Sequence, residues 1–229
     1  MKVLDDIPVN LNAMGVLKNI HMRNISMSVE KSVQELLDSV LPVARPKALY
    51  KVAYVENKRE GSVDIDGVRF NSPLLRKNLD QVERVFPCIV TCGRELDELK
   101  ASSDDIMQNY YLDTIKRMVL RTANDYLKGY LMKTYALGRI SRMTPGSLEA
   151  WPITQQKELF SLFGNVEELI GVRLTENYMM IPVKSSSGIF FPTEVSFESC
   201  QLCPREKCIG RRAPYDAALV KRYQKEGLL

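Results

Sequence analysis

Three cysteines, Cys200, Cys203 and Cys208, fall in the stretch CQLCPREKCIGRR with the spacing C-x2-C-x4-C, in a chain with five cysteines in all. Three thiolates at this spacing can surround one zinc ion or occupy three corners of an iron-sulfur cluster. The fourth ligand would come from Cys88, Cys92, a non-protein group or solvent. Arg205, Lys207, Arg211 and Arg212 stand among and after them, and their charge favours the thiolate forms. Two plainer readings stay open beside these: a structural zinc pinning the tail, and reduced thiols that bind no metal.

A second stretch, RMTPGSLEAWP from Arg142 to Pro152, brings together side chains suited to holding a small molecule. Arg142 offers a planar fork for a carboxylate. Pro145 and Gly146 impose a tight turn that lets backbone approach a ligand, and Trp151 offers an aromatic face. An ordinary surface turn between helices explains the same composition. His21 is the single histidine and has no convergent polar neighbours in sequence, which disfavours Ser-His-Asp chemistry. Neither a G-x-x-x-x-G-K-[ST] loop nor a G-x-G-x-x-G turn is present, which removes phosphate-loop and nicotinamide readings.

The elements that must position these residues follow from periodicity. Apolar residues at helical spacing over 29–41, with Pro42 just beyond, predict an amphipathic helix. ALYKVAYV reads as a strand, and VDIDGVRF switches its apolar parity across Asp66-Gly67 as a two-residue hairpin requires. Ser72-Pro73 caps and opens a helix to about Val82, and VFPCIVTCG reads as a buried strand. The longest helix is expected over 104–135, where Tyr111, Ile115, Met118, Thr122, Tyr126 and Tyr130 keep one stripe. A short helix at TQQKELFSLF, strands around a Ser-rich turn in GVRLTENYMMIPVKSSSGIFF, and a terminal helix at DAALVKRYQKEG complete the order. Helices and antiparallel strands mixed in this way predict an α+β fold, one unit over 1–229 with an N-terminal extension (1–28) and a cysteine-containing tail (196–229).

Composition sets the outer bounds. At 229 residues, with 45% hydrophobic and 26% charged, the chain is long enough to bury its own core without a metal staple. The formal charge of +4 is spread among both signs, which gives nucleic-acid binding little support. MKVLDDIPVN lacks the apolar run of a secretory leader, and no run is long enough to span a bilayer, so a cytoplasmic protein with free or metal-bound thiols is expected.

The order of RMTPGSLEAWP, a short helix and IGVRLTENYMMIPVKSSSGIFF resembles the activation, or reactivation, domain of cobalamin-dependent methionine synthase. In that family an Arg-x-x-Pro-Gly-Tyr element precedes a helix and a Leu-Thr-Glu-Ser segment ending in Ser-x-Ser-Gly. The matched block runs from about Arg142 to Phe191, and free-standing forms ending in a cysteine cluster extend the resemblance toward the C-terminus.

The resemblance implies one α+β domain with a twisted antiparallel sheet flanked by helices. Its implied role is reactivation of a corrinoid methyltransferase: cob(II)alamin on the partner is reduced by a low-potential donor such as flavodoxin or ferredoxin, then trapped as methylcobalamin by S-adenosylmethionine. It implies that Arg142 grips the donor's carboxylate, that backbone at Pro145 and Gly146 lines the pocket, that Glu176 shapes it, and that Tyr178 and Trp151 face the sulfonium or the corrinoid edge. Ser147 stands where the family has Tyr, and Arg121 falls where the family presents an acid to the donor's amino group. The alternative is a corrinoid-protein binding or iron-sulfur relay module that does not bind S-adenosylmethionine.

Overall fold

Almost every residue from Val85 to Thr91 is apolar, and a strand apolar on both faces has to lie in the middle of a sheet with a layer on each side. The computed structural model, which describes residues 1–20, 25–101 and 105–229, has this segment as its central strand, buried throughout from Val85. The strands in chain order are β1 (Lys2–Leu4), β2 (Lys47–Tyr50), β3 (Ala53–Arg59), β4 (Ser62–Ile65), β5 (Val68–Asn71), β6 (Arg84–Thr91), β7 (Ile140–Met143), β8 (Arg173–Leu174), β9 (Met180–Ile181) and β10 (Ser185–Pro192). The α-helices are α1 (Ala13–Asn19), α2 (Met27–Val40), α3 (Pro73–Asn78), α4 (Arg94–Glu98), α5 (Ile106–Thr134), α6 (Gln156–Ser161), α7 (Val166–Ile170) and α8 (Ala217–Lys225).

On one edge β6 pairs with β2 at Cys88–Thr91 and with β3 at Arg84 and Val85; on the other it pairs with β10. β1 closes the first side on β2, and β7 closes the second on β10. All these pairs are antiparallel. β3, β4 and β5 run on as a meander whose last turn is Asp66-Gly67, with φ of 45° and 77°, the left-handed pair that a two-residue hairpin demands. β8 and β9 make a separate short hairpin.

Strand parity sorts the core into layers. Val85, Ile89, Leu49, Ile189, Phe191 and Met143 pack toward α3, α6, α7 and α8, through residues such as Leu75, Leu159, Ile170 and Tyr223. Phe86, Cys88, Val90, Tyr50, Ile140 and Phe190 face the opposite way and meet Ala123, Leu127 and Leu131 of α5. The first half of α5 packs against α1 and α2 through Tyr111, Leu112, Ile115 and Val119. The result is a single α+β domain, an antiparallel sheet with helices on both faces. No helix among the described residues is long and apolar enough to cross a membrane.

Several expectations shift in detail. Ser26 caps α2 through the Val29 amide, Ser72 caps α3 through that of Leu75, and α3 ends at Asn78 rather than near Val82. ALYKVAYV divides into β2 and β3, because the chain leaves one half of β6 and joins the other. The Ser-rich segment is not a turn: Ser185–Ser187 are strand residues of β10, paired with Ile89–Thr91. Small side chains suit this stretch, since Ser187 is buried against the crowded center and the Ser185 hydroxyl bonds Thr91 at 3.0 Å. Of the expected extension 1–28, Lys2–Leu4 is the sheet's edge strand and Ile7 is buried beneath α5. His21 and Asp104 lie outside the described residues.

Candidate functional site

Alternation along β7 sends Ser141 and Met143 to one layer and Arg142 to the other, under α5. There Arg142 is 8% exposed, and Phe190, its register partner on β10, lies with its ring centroid 5.2 Å from the guanidinium. One terminal nitrogen donates to Asn124 Oδ1 on α5, and the other donates to Ser186 Oγ on β10 at 3.1 Å. Ser186 Oγ in turn donates to Asn124 Oδ1 at 3.0 Å. The Arg142 Nε–H has no partner, and among the described residues no carboxylate forms an ion pair with this buried cation. Burial lowers the pKa of Arg142 and raises that of the neighbouring Cys88 thiol, which is therefore neutral and does not offset the charge.

Space for this side chain depends on Gly188. A Cβ at that position would lie 2.5 Å from the Met143 carbonyl and 2.8 Å from Arg142 Nε. The glycine in Ser-Ser-Ser-Gly is thus explained by close approach of the arginine from the next strand.

Above Arg142 a pocket of about 440 Å³ opens between α5, the β7–β10 edge and the C-terminal segment. Arg117, Arg121, Asn124 and Lys128 line it from α5; Arg142, Ser186 and Phe190 from the sheet; Ile209–Arg212 from the segment after the cysteines. Its lining holds six cationic side chains, Arg117, Arg121, Lys128, Arg142, Arg211 and Arg212, against two carboxylates, Asp125 and Glu198. Arg121 and Asp125 stand 3.7 Å apart and are largely exposed, so that pair is weak.

The cysteine segment is organised by an arginine. Arg211 donates to the carbonyls of Cys200 at 3.0 Å, Ala213 at 3.2 Å and Cys203 at 3.1 Å, and also to that of Arg205. The Arg212 amide donates to Cys200 Sγ at 3.4 Å. All five cysteines are free thiols; Cys200 and Cys203 are half-buried and Cys208 is exposed. No three of the described His, Cys, Asp and Glu side chains converge to hold a metal ion. Cys88 and Cys92, the proposed source of a fourth ligand, are buried in two separate apolar clusters. The thiols therefore do not fit zinc or an iron-sulfur cluster in this arrangement.

The remaining expected site residues lie apart from the pocket lining. Pro145, Gly146 and Ser147 form a turn in which the Ser147 amide reaches the Thr144 carbonyl at 3.2 Å and its hydroxyl bonds Ser199 at 3.3 Å. Gly146 has φ of 78° and faces Ile153, whose Cδ1 would be 2.5 Å from a Cβ, so this turn packs on its own loop. Glu176 is exposed in the β8–β9 hairpin, and the Tyr178 carbonyl accepts from Gln156 Nε2 at 3.4 Å. Trp151 is fully buried in the core, edge-on to Phe70 with centroids 6.2 Å apart. Asn124, Ser186, Lys128, Arg117 and Glu198 escape the sequence reading. Arg117, Arg121, Asn124 and Lys128 recur at three- and four-residue intervals on α5, a polar stripe that helical spacing could have disclosed.

No protein-family model matches the chain, and no curated protein matches it. Among solved structures it is similar to the crystal structure of the MetH reactivation domain bound to AdoHcy, with a TM-score of 0.57 and 15% identity over 100% of this chain and 86% of that one. The chain has the fold of that domain from end to end, as the motif order around Arg142 implies.

Proposed function

We propose that this chain is a cytoplasmic accessory protein for reductive reactivation of a cobalamin-dependent methyltransferase, most simply a methionine synthase lacking its own activation domain. The observation that carries the proposal is the whole-length likeness to the MetH reactivation domain, together with an Arg-x-x-Pro-Gly strand end whose arginine lines a pocket. The partner holds the cobalamin, and flavodoxin or ferredoxin is the class of donor that delivers the electron. S-adenosylmethionine then supplies the methyl group that removes cob(I)alamin from the reduction equilibrium and pulls it forward. In this chain Arg142 would receive the donor's carboxylate, and Asp125 or Glu198 its ammonium. That the neighbour's crystals hold AdoHcy supports a ligand of this shape here.

The test is anaerobic calorimetry of S-adenosylmethionine and AdoHcy, paired with turnover of a cobalamin-dependent methionine synthase that lacks its activation domain, plus reductant. Saturable binding and restored turnover are expected. If turnover stays flat with the chain present, the accessory role is wrong.

A second reading is favoured by the pocket's charge. Six cations against two carboxylates oppose a ligand with a sulfonium and an ammonium, and Arg121 occupies the position implied for an acid. On this reading the chain docks on the corrinoid protein and supports its reduction without S-adenosylmethionine. Restored turnover with no S-adenosylmethionine binding would select it.

A further inference from the structure

We infer that the pocket over Arg142 is a polyanion site, taking a ligand through phosphate groups held by Arg142, Arg121 and Arg212. The inference builds on the second reading above, and identifies what occupies the pocket when S-adenosylmethionine does not. A buried guanidinium is ordinarily paired, because the low-polarity surroundings make an uncompensated charge costly. Arg142 is 8% exposed, donates to the neutral Asn124 and Ser186, lies against the neutral Cys88 thiol and the Phe190 ring, and, though Glu198 attracts it, forms no ion pair among the described residues. Neutral partners satisfy its geometry without cancelling its charge, which leaves that charge to an anion in the pocket.

The rest of the lining determines which anion. A single carboxylate would offset Arg142 and leave Arg117, Arg121, Lys128, Arg211 and Arg212 facing Asp125 and Glu198 alone. Arg211 is committed to four carbonyls of the cysteine segment, but Arg212 keeps its side chain exposed at the mouth, and Arg121 is 73% exposed in its weak pair with Asp125. Guanidinium forks match phosphate oxygens in pairs, and a concave site walled by one sign of charge concentrates ligands of the other. S-adenosylmethionine carries one more positive than negative charge and is disfavoured by the same field. A pocket of about 440 Å³ has room for a polyphosphate with an organic group attached.

The experiment is calorimetry of inorganic pyrophosphate, ATP and S-adenosylmethionine into wild type, the Arg121→Glu/Arg212→Glu double variant, and Lys157→Glu, an exposed charge on α6 in the opposite layer. Pyrophosphate should bind at one site, more tightly than S-adenosylmethionine, and weaken as salt is raised. Its affinity should fall roughly tenfold or more in the double variant and hold in Lys157→Glu. ATP binding tighter than pyrophosphate marks a nucleotide as the source of the phosphates; the reverse marks a free polyphosphate. Absence of saturable binding, or equal loss in Lys157→Glu, overturns the site as diffuse surface attraction. Turnover of the methionine synthase, measured on the same preparations, separates the two ideas: flat turnover with pyrophosphate bound sinks the accessory role, and restored turnover without it sinks only the polyanion site.

Discussion

Arg142 and Phe190 are register partners on β7 and β10, and the guanidinium lies 5.2 Å from the ring centroid with no ion-paired carboxylate among the described residues. An arginine in a structural ion pair leaves a stranded carboxylate when removed, at a cost of about 3–5 kcal/mol. Arg142 leaves none, and Asn124 and Ser186 still bond each other at 3.0 Å. Arg142→Met, which keeps the aliphatic stem, should therefore change unfolding free energy by no more than about 1 kcal/mol. Binding of pyrophosphate or S-adenosylmethionine, whichever the wild type takes, should weaken by about 2 kcal/mol or more, roughly thirtyfold. Denaturant melts and calorimetry check both; a stability loss on the ion-pair scale would make Arg142 a structural residue.

Two glycines should answer alanine with opposite signs. At Gly188 the new methyl meets the Met143 carbonyl and Arg142 Nε below 3.0 Å, and the backbone of two paired strands has little freedom to yield. Gly188→Ala should destabilise by about 1–3 kcal/mol. Gly129 lies inside α5 with nothing within 4 Å of its added methyl, and alanine there should stabilise by about 0.5–1 kcal/mol. Chemical denaturation of the pair is the measurement. A Gly188→Ala protein as stable as wild type would mean the β7–β10 approach is looser than described.

The parts of this fold that sequence discloses are those written in local pattern. β6 is legible because it is apolar on both faces, the Asp66-Gly67 turn because parity changes across it, and α5 because it runs from Ile106 to Thr134 without a proline, although its buried face passes through Val119, Ala123, Leu127 and Leu131 rather than Met118, Thr122, Tyr126 and Tyr130. The pocket is not local. Arg142 meets Asn124 from 18 residues before it and Ser186 from 44 residues after it. Only strand parity, which needs the true limits of β7, says that Arg142 points toward α5 while Ser141 and Met143 point away. Ser185–Ser187 look like a turn by composition and are made a strand by pairing with β6, a tertiary preference that overrides propensity. Trp151 has a ligand's neighbours in sequence and the core's neighbours in space, because Phe70 arrives from β5.

Two buried thiols give the protein an alkaline weakness. Burial pushes Cys92 up to about 12 and raises Cys88 in the same direction, while an unfolded thiol titrates at about 8.5. Above that value the unfolded chain gives up these protons and the folded chain keeps them, so the unfolded state gains as pH rises. The stabilisation is complete below the unfolded value and is lost progressively from there toward about 12, at up to about 1.4 kcal/mol per pH unit for each thiol. Tyr50, also raised by burial, adds in the same sense at higher pH, and Lys116, lowered by burial, opposes it. Comparing wild type with Cys92→Ala isolates one thiol: the variant's stability should fall less steeply above pH ~8.5. Parallel curves would mean that Cys92 titrates normally in the fold.

Arg211 ties the carbonyls of Cys200, Cys203, Arg205 and Ala213 to one guanidinium, and the segment it closes supplies Ile209–Arg212 to the pocket. This part of the chain is held by hydrogen bonds more than by apolar packing, so its local opening is separable from global unfolding. Arg211→Gln keeps polarity but cannot span four acceptors in a fixed fork. In that variant iodoacetamide should modify the half-buried Cys200 and Cys203 several times faster, the exposed Cys208 at an unchanged rate, and the buried Cys88 and Cys92 only on unfolding. The global transition should move by no more than about 1 kcal/mol, because the core lies elsewhere. Mass spectrometry of the labelled peptides over time resolves the five sites. Unchanged rates at Cys200 and Cys203 would show that the segment keeps its shape without Arg211, and would remove the arginine from any account of how the pocket is roofed.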